Sequence, residues 1–217
     1  TVNNPNTLAA ATINTGSTDI DMSIGNGQFT ITPISEPASI PASGAATYRY
    51  SVTILGSTPT GSVTCDAHIT GDVGGTDVSD SNAATAKTFT VRIPPPNLLL
   101  LVVDQTGDYD YVAGETFTVR VYYGNDGTAT ISSVDGTLSF SGDLSAVSNP
   151  ASVNVPAGTA VPGAVFQDFT VQVAANPTDN AIRNIDVTAS GTYNDGVNPT
   201  APISNNTGSY PASDEDV

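Results

Sequence analysis

The stretch Ile93-Pro94-Pro95-Pro96-Asn97-Leu98-Leu99-Leu100-Leu101-Val102-Val103-Asp104 constrains this chain more than any other. Three consecutive prolines fix φ, remove three N–H donors and favour a stiff polyproline-II spacer. The apolar run that follows is far too short to cross a bilayer, which takes about 20 apolar residues. Bounded by proline before it and Gln105-Thr106-Gly107 after it, the run predicts a strand. A strand with one wet face alternates apolar and polar residues, and this one does not. Both faces are therefore expected to be covered, one by its own domain and the other by the first domain or another subunit. Left exposed, it would be an aggregation site. The stretch predicts a joint: residues 1–93 form one domain, 94–97 a proline-rich linker, and 98–217 a second domain opening on this strand.

A chain of 217 residues suffices for two domains of about 100 residues, each with its own core. Its 20 glycines and 15 prolines, with abundant Thr, Ser and Asn, suit an all-β protein rich in turns. No window carries a helical apolar period with capping signals. The nearest, Leu8-Ala9-Ala10-Ala11-Thr12, breaks at Asn14-Thr15-Gly16. Alternation predicts strands over 7–13, 18–24, 27–33, 46–55, 62–70, 73–79 and 86–93. In the second domain it predicts them over 97–104, 115–124, 128–134, 136–141, 151–155, 164–174, 181–191 and 207–211. Phe117, Val119, Val121 and Tyr123, separated by Thr118, Arg120 and Tyr122, read as a half-buried strand. About seven short strands per half make two tandem immunoglobulin-like β-sandwiches the expected fold.

Five Lys and Arg against 21 Asp and Glu give a net charge of −16. That argues against nucleic acid and anionic membrane surfaces as partners, since both are bound by basic patches. Only 12% of residues are charged, so the surface is Thr/Ser/Asn with scattered acids, a composition suited to extracellular proteins. Cys65 is the one cysteine, which excludes an intramolecular disulfide framework. The chain starts at Thr1 with no apolar h-region, and the expectation is a secreted protein whose leader has been removed, or an excised piece.

The halves resemble each other. Asn14-Thr15-Gly16-Ser17-Thr18-Asp19-Ile20 answers Asn125-Asp126-Gly127-Thr128-Ala129-Thr130-Ile131, and Pro37-Ala38-Ser39-Ile40-Pro41-Ala42 answers the segment from Pro150 to Gly158. Tyr50-Ser51-Val52-Thr53-Ile54 answers Phe169-Thr170-Val171-Gln172-Val173. Cys65-Asp66-Ala67-His68-Ile69-Thr70-Gly71 answers Ile185-Asp186-Val187-Thr188-Ala189-Ser190-Gly191. On this alignment residues 97 to 114 of the second domain have no counterpart, so the first domain is expected to lack its first strand. A sandwich missing a strand leaves unpaired backbone groups and an apolar groove, which a neighbouring chain can fill by strand addition.

Asn125-Asp126-Gly127-Thr128-Ala129 and Val153-Asn154-Val155-Pro156-Ala157-Gly158, followed by a Phe-x-Val strand, resemble the cell-adhesion-related immunoglobulin-like repeats of bacterial and archaeal surface proteins. The resemblance spans nearly all of the second domain and, less clearly, the first. It implies a surface-exposed, noncatalytic module and carries over no functional residue.

Candidate sites are sparse. Asp104, Asp108 and Asp110 form the densest acidic cluster inside the folded region and, with loop carbonyls, offer a possible Ca²⁺ site, although the spacing is not that of an EF-hand. A solvated loop is the plainer reading. Cys65 falls on the inward phase of its strand and is expected to be an inert buried thiol; His68 falls on the outward phase, without companion ligands. Asn205-Asn206-Thr207 is the one glycosylation acceptor. Leu98, Leu99, Leu100, Leu101, Val102 and Val103 are the candidate assembly surface.

These features predict no enzyme and no cofactor. They predict a structural subunit of an extracellular filament, pilus-like, or of a surface layer, binding itself through strand complementation and contacts at the chain ends. The alternative is a stalk or adhesin repeat of a larger cell-surface protein that binds a glycan or a protein.

Overall fold

The computed structural model describes residues 1–14, 19–80, 86–105, 110–178 and 183–205. Apart from one 3-10 turn at Asn26–Gln28, the regular elements among the described residues are strands, paired antiparallel. They fall into two units, Thr1–Arg92 and Ile93–Val217.

The first unit holds β1 (Val2–Asn3), β2 (Ala11–Ile13), β3 (Asp19–Met22), β4 (Phe29–Ser35), β5 (Ser39–Ile40), β6 (Ala45–Ala46), β7 (Arg49–Ile54), β8 (Gly61–Val73), β9 (Thr76–Asp80) and β10 (Lys87–Val91). Its spine is β8, whose β-branched and small residues suit a strand paired on both edges. One edge takes β10 and then β9, the other β3 and then β2, and β2 is flanked in turn by β5. Gly71 is required at this crowded point: a Cβ there would run into the Thr12 carbonyl. The pairs β4–β7 and β1–β6 stand as separate two-stranded ladders. Apolar side chains collect in two small clusters, one around Met22, Phe29, Val63 and Val91, the other around Ala11, Ile13, Ile40 and Ile69.

The second unit holds β11 (Leu98–Asp104), β12 (Thr116–Asn125), β13 (Ile131–Phe140), β14 (Leu144–Ala146), β15 (Val153–Val155), β16 (Phe166–Val173), β17 (Ile185–Tyr193) and β18 (Ala201–Ser204). Two four-stranded sheets, β11-β12-β16-β14 and β15-β13-β17-β18, enclose one core in a β-sandwich arrangement. The alternation of β12 supplies Phe117, Val119, Val121 and Tyr123 to that core, against Ile131, Val134, Val155, Phe169 and Val171.

Several strand expectations change, and β1, β5 and β14 form where no strand was expected. The strands expected at 128–134 and 136–141 are one strand, β13, whose register shifts between Ser132 and Asp135, with Ser133 at φ 53°. The bulge explains the apparent break, because one extra residue reverses the in–out phase. The described strand that closes the unit is β18, while the segment expected there, 207–211, lies outside the described residues.

The units repeat each other's pairing. Ala11 faces Val73 and Ile40, as Ile131 faces Tyr193 and Val155. Met22 faces Cys65 as Phe140 faces Ile185, and Ile31 faces Val52 as Ala146 faces Val171. Thr70 faces Ser79 as Ser190 faces Ser204. These pairs keep the register of the third and fourth sequence segments, shift the second so that Ile40 answers Val155 rather than Val153, and replace the first. The counterpart of Asn125 is Asn4, not Asn14, and β2 with β3 answers β13. The matched register therefore starts within the last residues of β12, with Val2–Asn3 answering Tyr123 and Gly124. An Asn-x-Gly turn is too short a signal to fix that register, whereas a whole ladder of pairs does.

Candidate assembly face of the first unit

In the second unit β12 pairs along one edge of β16, with Phe117 opposite Val171 and Val119 opposite Phe169, and β11 packs against β17. In the first unit β7 and β8 are the counterparts of β16 and β17. Among the described residues β7 has β4 as its one sheet partner. Val171 and Val173 are 0% and 6% exposed, while their counterparts Val52 and Ile54 are 40% and 48% exposed. Burying one such side chain stabilises by about 1.5–3 kcal/mol, so this strip holds unused driving force.

Backbone groups of the strip are aimed the same way. The Leu55 N–H donates to the Gln28 carbonyl at 3.2 Å, on the β4 side. Antiparallel strands direct successive residues to opposite edges, which turns the N–H and C=O of Val52 and Ile54 toward the edge that β12 covers in the second unit. An apolar groove of about 670 Å³ also opens over β2, β8 and β9, lined by Val2, Ile13, Ile40, Ile69, Val73 and Val78.

The polar core of the second unit is fully tied. The Tyr123 hydroxyl and the Gly136 N–H both donate to Gln167 Oε1, and Gln167 Nε2 donates to the Ala151 carbonyl at 2.8 Å. A Cβ on Gly136 would collide with the Tyr123 hydroxyl, so only glycine admits the ring. Burial pushes the Tyr123 phenol far above its ordinary range, with the Asp135 charge adding to the effect. In the first unit Tyr48 stands where Gln167 does and donates its hydroxyl to the Pro37 carbonyl at 2.8 Å. On the outer face of the second unit's β12, Arg120 forms a two-pronged pair with Asp168, both bonds 2.7 Å, and its guanidinium lies 3.7 Å from the Phe166 ring centre.

The residues singled out in the sequence are scattered. Leu98 and Val102 are core residues, and Leu100 packs against the same core, so these three serve the second unit's own fold. Leu99, Leu101 and Val103 take the opposite face of β11, half-buried, leaving them as the accessible part of the candidate surface. Asp104 is half-buried and its Oδ2 accepts the Tyr111 hydroxyl; Asp110 is exposed; Asp108 lies outside the described residues. Among the described residues no group of three or more His, Cys, Asp or Glu is placed to hold a metal ion. Asn205 is engaged at the end of β18: its N–H donates to the Ala189 carbonyl at 2.9 Å, and its Oδ1 accepts the Ala189 N–H at 3.0 Å. Asn206 and Thr207 lie outside the described residues.

Cys65 is half-buried against the first cluster rather than fully enclosed, because its side of β8 borders the thinner core of the first unit. Burial, with Asp66 alongside, pushes its thiol pKa up and keeps it protonated. His68 stands half-exposed with Nδ1 3.3 Å from Asp21 Oδ2. Val52, Ile54 and Val78 escaped the sequence reading, because their alternation reads as ordinary core strand.

Among the described residues no helix is long and apolar enough to cross a membrane. Comparison of the chain with protein-family models, with curated proteins and with solved structures finds no match.

Proposed function

We propose that this chain is a structural subunit of an extracellular filament or surface layer, built from tandem immunoglobulin-like sandwiches that associate by β-strand complementation at the first unit. One observation carries the reading: β7 presents Val52 and Ile54 at 40% and 48% exposure on an edge whose counterpart in the second unit is fully covered. A half-open sandwich with that strip in water gains free energy from whatever strand closes it. The net charge of −16 opposes self-association at long range and makes it dependent on screening by salt. Electron microscopy and sedimentation of the native chain over a range of concentration and salt test the reading. Ordered filaments or sheets that grow with both are expected; a monomer under every condition sinks it.

The matched registers of the two units favour a second reading, a repeated stalk or adhesin module of a larger cell-surface protein. Such a module stays monomeric and binds a surface glycan or protein, which glycan arrays and pull-down against defined cell-surface proteins would reveal.

A further inference from the structure

We infer that the proline linker is a strap fastened to the second unit rather than a free spacer, and that motion between the two units is confined to a joint of one residue, Arg92. On one side of that joint Val91 is a buried core residue of the first unit, paired with Gly61. On the other side Ile93 donates its N–H to the Asp195 carbonyl at 2.8 Å, in the turn between β17 and β18. That turn is itself held. Asp195 is buried, and its Oδ1 accepts the N–H groups of Val197 and Asn198 at 2.8 and 2.6 Å. The far end of the linker is fastened as well. Pro96 is buried against Gly127 in the turn between β12 and β13, Asn97 Nδ2 donates to Asp126 Oδ2 at 3.4 Å, and Leu98 enters the core.

Gly127 shows that this seat is built into the sequence. Its φ lies outside the left-handed region, so the turn does not need glycine for its conformation. The first unit makes the same turn with Asn6, whose N–H bonds Asn4 as the Gly127 N–H bonds Asn125. What excludes a side chain at 127 is Pro96: a Cβ there would lie 2.6 Å from the proline Cα and 2.8 Å from its Cβ. The prolines suit a strap for a second reason. Between Ile93 and Asn97 they leave no N–H donor to satisfy, so the backbone crosses the end of the sandwich without a strand to pair with. Their fixed φ also lowers the entropy lost on docking. The strap fixes the point at which the chain leaves the second unit, and it depends on neither reading of function.

NMR relaxation and amide exchange on the full chain test it. Order parameters of about 0.85 are expected at Ile93 and Asn97, as in the strands, and values below about 0.6 overturn the strap. Gly127→Val and Asp195→Ala should each speed exchange of the Ile93 N–H at least about tenfold while Val121, in β12, keeps its rate. Asp195→Asn, which keeps the acceptor oxygen, should hold the Ile93 rate within about twofold of the unaltered chain's. If Gly127→Val speeds Val121 as well, the Asp195 variants decide: unchanged exchange at Ile93 in Asp195→Ala overturns the strap. A short Gly-Ser insertion between Arg92 and Ile93 should leave the Ile93 N–H protected and give each unit its own rotational correlation time, where the unaltered chain has one. Separate times in the unaltered chain, or one shared time after the insertion, overturn the one-residue joint.

Discussion

Asn4 and Asn125 make the same hydrogen bonds in their two units. Asn125 Nδ2 donates to the carbonyls of Ala129 and Val155 at 2.8 and 3.2 Å, and its Oδ1 accepts the Gly127 N–H at 2.9 Å. Asn4 Nδ2 donates to the carbonyls of Ala9 and Ile40 at 2.9 and 3.2 Å, with Pro41 as a third acceptor, and its Oδ1 accepts the Asn6 N–H at 3.0 Å. The backbone N–H of each also donates to a matching loop carbonyl, Thr159 for Asn125 and Gly44 for Asn4. Each amide ties the end of one strand to the loop after it and to the strand across the core. A satisfied buried amide of this kind fixes register more strictly than apolar packing does.

Asn125→Ala should therefore cost about 2–4 kcal/mol, because it leaves two buried carbonyls and one N–H without partners. Asn4→Ala should cost less, about 1–3 kcal/mol, since its surroundings are more open. The chain has two units and need not unfold in one step, so the check is urea unfolding with amide exchange followed separately at Ile131 and Ala11. A loss confined to the mutated unit is expected; equal losses in both would contradict the assignment.

Tyr123 makes the second unit sensitive to alkali. Its phenol pKa is raised by burial above the ordinary 10.0, so the folded state keeps a proton that the unfolded chain releases. A raised folded pKa contributes stability that is complete below the unfolded value and is lost as pH climbs past it. Stability of the second unit should fall from about pH 10 upward. Tyr123→Phe should flatten that fall while costing about 1–2 kcal/mol at neutral pH, where Gln167 Oε1 loses one of its two donors. Thermal unfolding between pH 7 and 11.5 measures both effects.

Much of the second unit can be read from its residues, and less of the first. The alternation of Phe117, Val119, Val121 and Tyr123 yields β12 nearly to the residue, because period-two burial leaves a period-two pattern. The unbroken run from Leu98 reads correctly as a strand: Leu98 and Val102 enter the core, while Leu99, Leu101 and Val103, on the face expected to be covered, are half-buried. What the residues could not disclose is coverage. Val52 and Val171 sit in nearly identical alternating strings, and only the presence of β12 beside one of them separates a core valine from one at the surface. The bulge at Ser133 hid the unity of β13 for a related reason: a one-residue insertion changes the phase without changing the strand.

The pair Arg120–Asp168 predicts behaviour in acid. Hydrogen bonds from Arg120 hold the Asp168 carboxyl below its ordinary 3.8 despite partial burial. A depressed folded pKa contributes stability present above the unfolded value and lost as pH falls through the folded one, so the loss should begin near pH 4 and deepen below it. Arg120→Gln should remove that acid-dependent part and also uncover the Phe166 ring on which the guanidinium rests. The melting temperatures of the two proteins should converge between pH 4 and pH 2 and differ most near neutrality. Parallel curves would mean that the pair contributes nothing.

Val52→Ala and Val171→Ala form the sharpest paired test, because the two valines hold the same position in their strands and differ only in what lies over them. Val171 is fully enclosed, so trimming it loses two methyl groups of burial and opens a cavity, at a cost of about 2–3 kcal/mol. Val52 already faces water at 40% exposure, so the same change in the isolated chain should cost less than about 0.5 kcal/mol. The order should reverse where association is measured: Val52→Ala should raise the concentration at which the chain assembles, while Val171→Ala, buried away from that edge, should leave it nearly unchanged under conditions where the second unit stays folded. A large stability loss from Val52→Ala in dilute solution would mean that something covers β7 in the monomer, and the first unit would then be closed. A small loss with unchanged assembly would move the contact elsewhere, with the half-buried face of Leu99, Leu101 and Val103 the next surface to test.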